Sequence, residues 1–146
     1  MKGEELFSKL DCILENSIDS ELGYYKIAKN TTNPLIQSIS NLKYSERNNY
    51  TLELKQCFLQ INAVPVRQSS KNRREISRWV NPKSILNTTG LTMVIDEIIE
   101  SEKNSLKDYN DILNRKDLPL RLRDTLETQK SAILNGIVKL RLRKES

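Results

Sequence analysis

Four glutamates set among apolar residues are the side chains of this sequence with the most chemical potential. Glu21 lies three residues after Ile18 and four before Tyr25, and Glu102 lies three after Ile99 and four before Leu106. Each therefore interrupts an apolar stripe of helical period. Glu46 interrupts another stripe in the same way, and Glu127 flanks Leu126. A buried carboxylate without a partner is costly and tends to take up a proton, so glutamates on such stripes call for a metal ion, a cation or a shared proton. Asn49, Lys130 and Tyr25 supply a metal-free polar core. Lys130 would neutralise one carboxylate, Asn49 and Tyr25 would donate hydrogen bonds, and the remaining glutamates would titrate as a coupled set. Like charge and burial would then raise their pKa values, and Glu102→Gln would leave stability unchanged or raise it.

Other chemistry is excluded by composition. The 146 residues include no histidine, which removes Ser/His/Asp triads, Cys/His dyads, HExxH zinc sites and imidazole bases together. No catalytic residue is predicted. Cys12 and Cys57 are too few for a disulfide scaffold, and Met1 to Leu10 carries two glutamates where a signal peptide needs an apolar stretch. A cytoplasmic protein with free thiols is expected, both cysteines falling toward one end of the helices that carry them. No apolar run approaches the roughly 20 residues of a membrane span.

The charge is unevenly placed. Lys and Arg number 24 against 19 Asp and Glu, and residues 63–90 hold six basic side chains and one acidic. Arg67, Lys71, Arg73, Arg74 and Arg78 form this basic patch, a candidate phosphate-binding footprint. One aromatic, Trp79, and no reading motif accompany it, so nucleic acid is the lesser expectation.

The elements that must position the glutamates are four long helices. Leu6, Leu10, Ile13, Ile18, Leu22 and Ala28 keep a helical period over about residues 4–30. After a turn, Asn33 can cap and Pro34 can open a second helix over 34–62, with the seam Ile36, Ile39, Leu42, Glu46, Tyr50, Leu54, Cys57 and Ile61. Residues 63–90 break the pattern and read as a crossover with short helical pieces. Third and fourth helices follow over 90–114 and 119–144. An offset of 81 residues matches Ser20-Glu21 with Ser101-Glu102, Lys26 with Lys107 and Glu46 with Glu127, as if one hairpin had been duplicated. The expectation is a single all-α domain, an antiparallel four-helix bundle with a long crossover between helices two and three.

One Glu from each of two helices plus Glu-x-x-His from the other two is the di-metal pattern of the ferritin-like superfamily. This sequence resembles that pattern without its histidines. Glu21 and Glu102 hold the single-Glu positions, while Glu46-Arg-Asn-Asn49 and Glu127-Thr-Gln-Lys130 stand where Glu-x-x-His would be. The chain is similar to a bacterial ferritin-like family of unknown function through Glu21-Leu-Gly-Tyr24, Ser45-Glu-Arg-x-x-Tyr50-x-x-Glu53-Leu54 and Trp79-x-x-x-Lys83-x-x-Leu86. The resemblance implies the fold; with both histidine positions replaced, the expected role is a non-catalytic bundle without cofactor, acting by self-association, as the isologous dimer such modules commonly form, or by binding another protein. The alternatives are an iron or manganese protein ligated by Glu21, Glu46, Glu102 and Glu127, and a DNA-associated ferritin-like stress protein.

Overall fold

The computed structural model describes residues 2–61 and 79–145. Four long helices and one short one make up the described chain: α1 (Lys2–Asn30), α2 (Pro34–Gln60), α3 (Pro82–Asn87), α4 (Leu91–Leu113) and α5 (Leu120–Glu145). The expected all-helical bundle is what forms.

The helix starts follow from local chemistry. Asn33 stands in extended backbone ahead of α2, and its Oδ1 accepts from the amides of Leu35 (2.9 Å) and Ile36 (3.1 Å). Pro34, lacking an amide hydrogen, sits where one would go unbonded anyway. Asn81 and Pro82 repeat the device for α3, with Asn81 Oδ1 accepting from Ser84 N at 3.2 Å. Gly90, at φ +90°, turns the chain from α3 into α4 through a conformation that side chains with a Cβ rarely adopt.

Cross-helix pairs give the topology. Asn16 meets Asp108 and Tyr24 meets Glu102, so α1 and α4 run antiparallel. Cys57 meets Thr125 and Glu53 meets Gln129, so α2 and α5 are antiparallel as well. With α1–α2 and α4–α5 as hairpins, α2 and α4 must be parallel. The connection between them therefore joins opposite ends of the bundle, which is why it has to be long. Around the ring the order is α1, α2, α5, α4, and α3 packs on α1 and α4.

The core runs the length of this ring, from Leu10, Phe58 and Ile112 through Ile98, Leu126 and Ile133 to Ile36, Ile85 and Ile137. Trp79 and Val80 belong to it, both nearly inaccessible. The Val80 side chain lies so close to α1 that a Cβ on Gly23 would stand 2.9 Å from it, which explains a glycine in mid-helix.

Candidate functional site

At the centre of the bundle Glu102 of α4 is fully buried, and three side chains converge on it. Arg47 Nη2 donates to Oε2 at 2.6 Å, and the Tyr24 hydroxyl donates to the same oxygen at 2.7 Å. The Lys43 ammonium stands 2.9 Å from Oε1. Arg47 also reaches Glu46 Oε1 at 2.5 Å, with Lys43 at 3.9 Å from that oxygen. Two cations and two carboxylates thus form one neutral cluster. Lys43 and Arg47 lie four residues apart on α2 and so share its inward face.

Burial alone would raise the Glu102 carboxyl. Arg47 and Lys43, with the Lys43 and Tyr24 hydrogen bonds, outweigh it and hold the pKa at about 2. Burial likewise works against the Arg47 cation, and Glu102 more than restores it, so Arg47 stays charged. Tyr24 is pushed well above its usual range, first by burial and then by Glu102, and remains a donor.

Gly136 of α5 makes room for Lys43, since a Cβ there would lie 2.6 Å from Nζ. Beside it a cleft of about 410 Å³ opens between α2 and α5, bordered by Lys43, Glu46, Asn135 and Lys139.

A second polar layer lies seven residues along the helices, where Tyr109 follows Glu102, Glu53 follows Glu46 and Ser17 precedes Tyr24. The Tyr109 hydroxyl donates to Gln129 Oε1 at 2.6 Å, and Gln129 Nε2 donates to Glu53 Oε1 at 2.9 Å. Ser17 hydrogen-bonds the Tyr109 oxygen, so this chain crosses all four long helices. A third group ties α1 to α4 and to the end of the crossover. Asn16 Nδ2 donates to Asp108 Oδ2 at 3.1 Å, Ser105 Oγ donates to Asn16 Oδ1 at 3.0 Å, and Trp79 Nε1 donates to Asp108.

The four glutamates do not converge. Glu102 is central, Glu46 sits half-buried at the edge of its cluster, and Glu21 is half-buried between α1 and α2 with Asn48 Nδ2 at 3.1 Å and Thr51 Oγ1 at 3.4 Å. Glu127 is exposed on α5. The expected metal-free polar core is corrected at each member. Lys43 and Arg47, not Lys130, neutralise the buried carboxylate, and Lys130 is only half-buried on α5. Tyr24 donates in place of Tyr25, which is 43% exposed and packs on the Tyr44 ring at 5.5 Å. Asn48 takes the place of Asn49, which is exposed. The direction of the Glu102 pKa is corrected too, because its neighbours are cations and not carboxylates.

The reason is a single choice of register in α2. From Ile39 to Tyr50 a helical stripe can pass through Leu42 and Glu46 or through Lys43 and Arg47, and hydropathy favours the first. The structure takes the second, leaving Leu42 66% exposed, because the interior of the bundle holds an ionised carboxylate that needs counter-charge. The two-turn recurrence of Ser17 and Tyr24 on α1 is a sequence signal for Tyr24, whereas Lys43 and Arg47 stand out only as two cations four residues apart beside the apolar seam of α2. Arg67, Lys71, Arg73, Arg74 and Arg78 lie outside the described residues. Cys12 and Cys57 are both free thiols, and Cys57 Sγ lies 3.3 Å from Thr125 Oγ1.

These residues do not fit a metal. Both oxygens of Glu102 face cations, and among the described residues no three His, Cys, Asp or Glu side chains come together as a ligand set.

Two hairpins joined by a crossover that links opposite ends, around a carboxylate core, define a ferritin-like four-helix bundle. The same fold occurs in the dodecameric thioferritin, a bacterioferritin-related protein of Bacteroides fragilis, with a TM-score of 0.72 and 14% identity over 94% of this chain and 83% of that one. The family model described as Domain of unknown function (DUF2383) matches residues 5–115, from α1 through α4, and the chain belongs to that family. No curated protein matches it significantly. Among the described residues no helix is long and apolar enough to cross a membrane.

Proposed function

We propose that this chain is a non-catalytic ferritin-like bundle that works by associating with copies of itself, needs no metal, and resides in the cytoplasm with its two thiols reduced. The observation that carries the reading is the neutral cluster around Glu102. A carboxylate whose two oxygens already face Arg47 and Lys43 would bring a further cation up against two positive charges, and it has no proton to exchange near neutral pH, which leaves the surface as the working part. That surface supports association. On the outer side of the α1–α2 pair, Phe7 and Leu22 of α1 and Leu52 and Leu59 of α2 are exposed, with Leu59 at 75%. Grouped apolar exposure of this kind marks contact faces. The assembly named for the B. fragilis protein is consistent with it.

The test combines elemental analysis with mass. Protein purified without chelators is expected to carry far less than one iron or manganese per chain, to melt unchanged when chelator is added, and to sediment above the monomer mass. Stoichiometric metal, or a monomer at every concentration, overturns the reading.

A further inference from the structure

Among the described residues α5 packs mainly on α4 and on α2, and the side of it turned away from them is exposed. Leu120, Glu127, Leu134 and Arg141 recur on that side at intervals of seven, with Asp124, Ser131 and Val138 beside them. All of these residues are exposed, Leu120 at 74%, Leu134 at 45% and Val138 at 54%. Among the described residues neither Glu127 nor Arg141 has an ion-pair partner, whereas Lys144 is held by Asp96 of the same chain at 2.7 Å.

The charges on this face are arranged antisymmetrically about Leu134. Glu127 lies seven residues before it and Arg141 seven after. We propose that α5 is a self-complementary interface, on which two copies of this chain pair antiparallel about Leu134 with Glu127 of each copy against Arg141 of the other. The inference rests on the reading that the chain works as an assembly, and adds to it a second contact face.

Geometry fixes both direction and register. In an antiparallel pair centred on Leu134, residues whose numbers sum to 268 face each other, so two Glu127–Arg141 pairs form, about 21 Å apart along α5 at 1.5 Å per residue. A parallel pair would set Glu127 against Glu127 and Arg141 against Arg141. A slip of one heptad would put Arg141 opposite Leu134 and lose both ion pairs. An unrelated partner would require neither the equal spacing nor the opposite signs; a second copy accounts for both. Exposed ion pairs contribute little affinity each, so Leu134, which meets its own copy, supplies the central attraction with Val138 beside it, and the charges select the register. Two distinct isologous faces on one chain give assemblies larger than a dimer, a closed tetramer in the simplest case.

The test is sedimentation of the full chain from about 1 to 100 µM at roughly physiological salt, a range that spans weak to moderate association. Wild type is expected to exceed the dimer mass. Glu127→Arg and Arg141→Glu should each weaken association on the α5 face by at least about tenfold, since like charges then meet twice. The double swap, Glu127→Arg with Arg141→Glu, should restore it. Both sites are exposed, and unchanged circular dichroism and melting will show that the variants fold. Leu52→Asp disrupts only the α1–α2 face. A wild-type dimer that Leu52→Asp dissolves and Glu127→Arg does not overturns the α5 interface and leaves the first reading standing. A dimer with the reverse behaviour supports α5 and overturns the α1–α2 face. Failure of the double swap to restore what the single reversals remove also overturns the α5 pairing, and a monomer throughout overturns both readings.

Discussion

Removing Arg47 tests the account of the bundle centre most directly. Arg47→Met keeps an apolar stem of similar length and leaves Glu102, with no accessible surface, facing Lys43 and Tyr24 alone. The Glu102 carboxyl is held at about 2 against an ordinary 4.5. At about 1.4 kcal/mol per unit, this corresponds to about 3 kcal/mol of folding free energy near neutral pH, order of magnitude only. Breaking a buried pair from one side costs a similar amount, about 3 to 5 kcal/mol. Such a loss lowers the melting temperature by about 10 °C in a domain of this size. Trp79, the only tryptophan and a buried one, reports unfolding by its fluorescence in urea. The pH dependence supplies a second check. Because the folded pKa is depressed, the unfolded chain binds the proton more readily, so the contribution is complete above about pH 4.5 and is lost as pH falls toward 2. Glu102→Gln should therefore be less stable than wild type at pH 7, with the gap closing through that window. Arg47→Met within about 1 kcal/mol of wild type, or a Glu102→Gln gap that does not change with pH, refutes the reasoning.

Four further outcomes are expected. Gly23→Ala drives a Cβ into Val80 and should cost about 1 to 3 kcal/mol in urea titrations. Gly136→Ala gains about 1 kcal/mol of helix propensity but crowds the Lys43 ammonium, so it should be near neutral in wild type and stabilising in a Lys43→Met background. Asp108→Ala removes the acceptor of the Trp79 indole and of Asn16, so it should shift the tryptophan emission to the red and lower stability by about 1 to 3 kcal/mol. Tyr50→Phe should be neutral or stabilising by up to about 1 kcal/mol in thermal melts, because the Tyr50 hydroxyl is buried without a hydrogen-bond partner among the described residues.

The helices were legible because their signals are local. Ile95, Ile98, Ile99 and Leu106 keep one face of α4, and Asn33-Pro34 and Asn81-Pro82 carry their capping chemistry wherever the rest of the chain goes. The site was legible only in part, because which face of α2 turns inward depends on a charge on α4. Glu102 itself was singled out correctly as a carboxylate on an apolar stripe. Tyr24 was missed by one position, for Tyr25, and the cations Lys43 and Arg47 were sought in Lys130 on another helix, since side chains one residue apart point about 100° apart on a helix and composition cannot rank a buried lysine above a neighbouring leucine. The duplication suggested by the 81-residue offset survives in Ser20 and Ser101, both buried, but not in function, because Glu127 stands exposed where Glu46 touches the central cluster.

The chain of hydrogen bonds from Ser17 through Tyr109 and Gln129 to Glu53 has a consequence for how this fold tolerates change. A seam made only of leucine and isoleucine fits itself almost as well after sliding by two turns. Here such a slide in any one helix would separate donors from acceptors in both polar layers at once, stranding a charge in one and an amide in the other. The two layers therefore act as a lock on helix register, and the burden of specifying a unique packing falls on about ten polar residues. The apolar positions between them are left free to exchange one aliphatic side chain for another of similar volume. Sequences built on this plan can drift far in their cores while the same helices meet at the same heights.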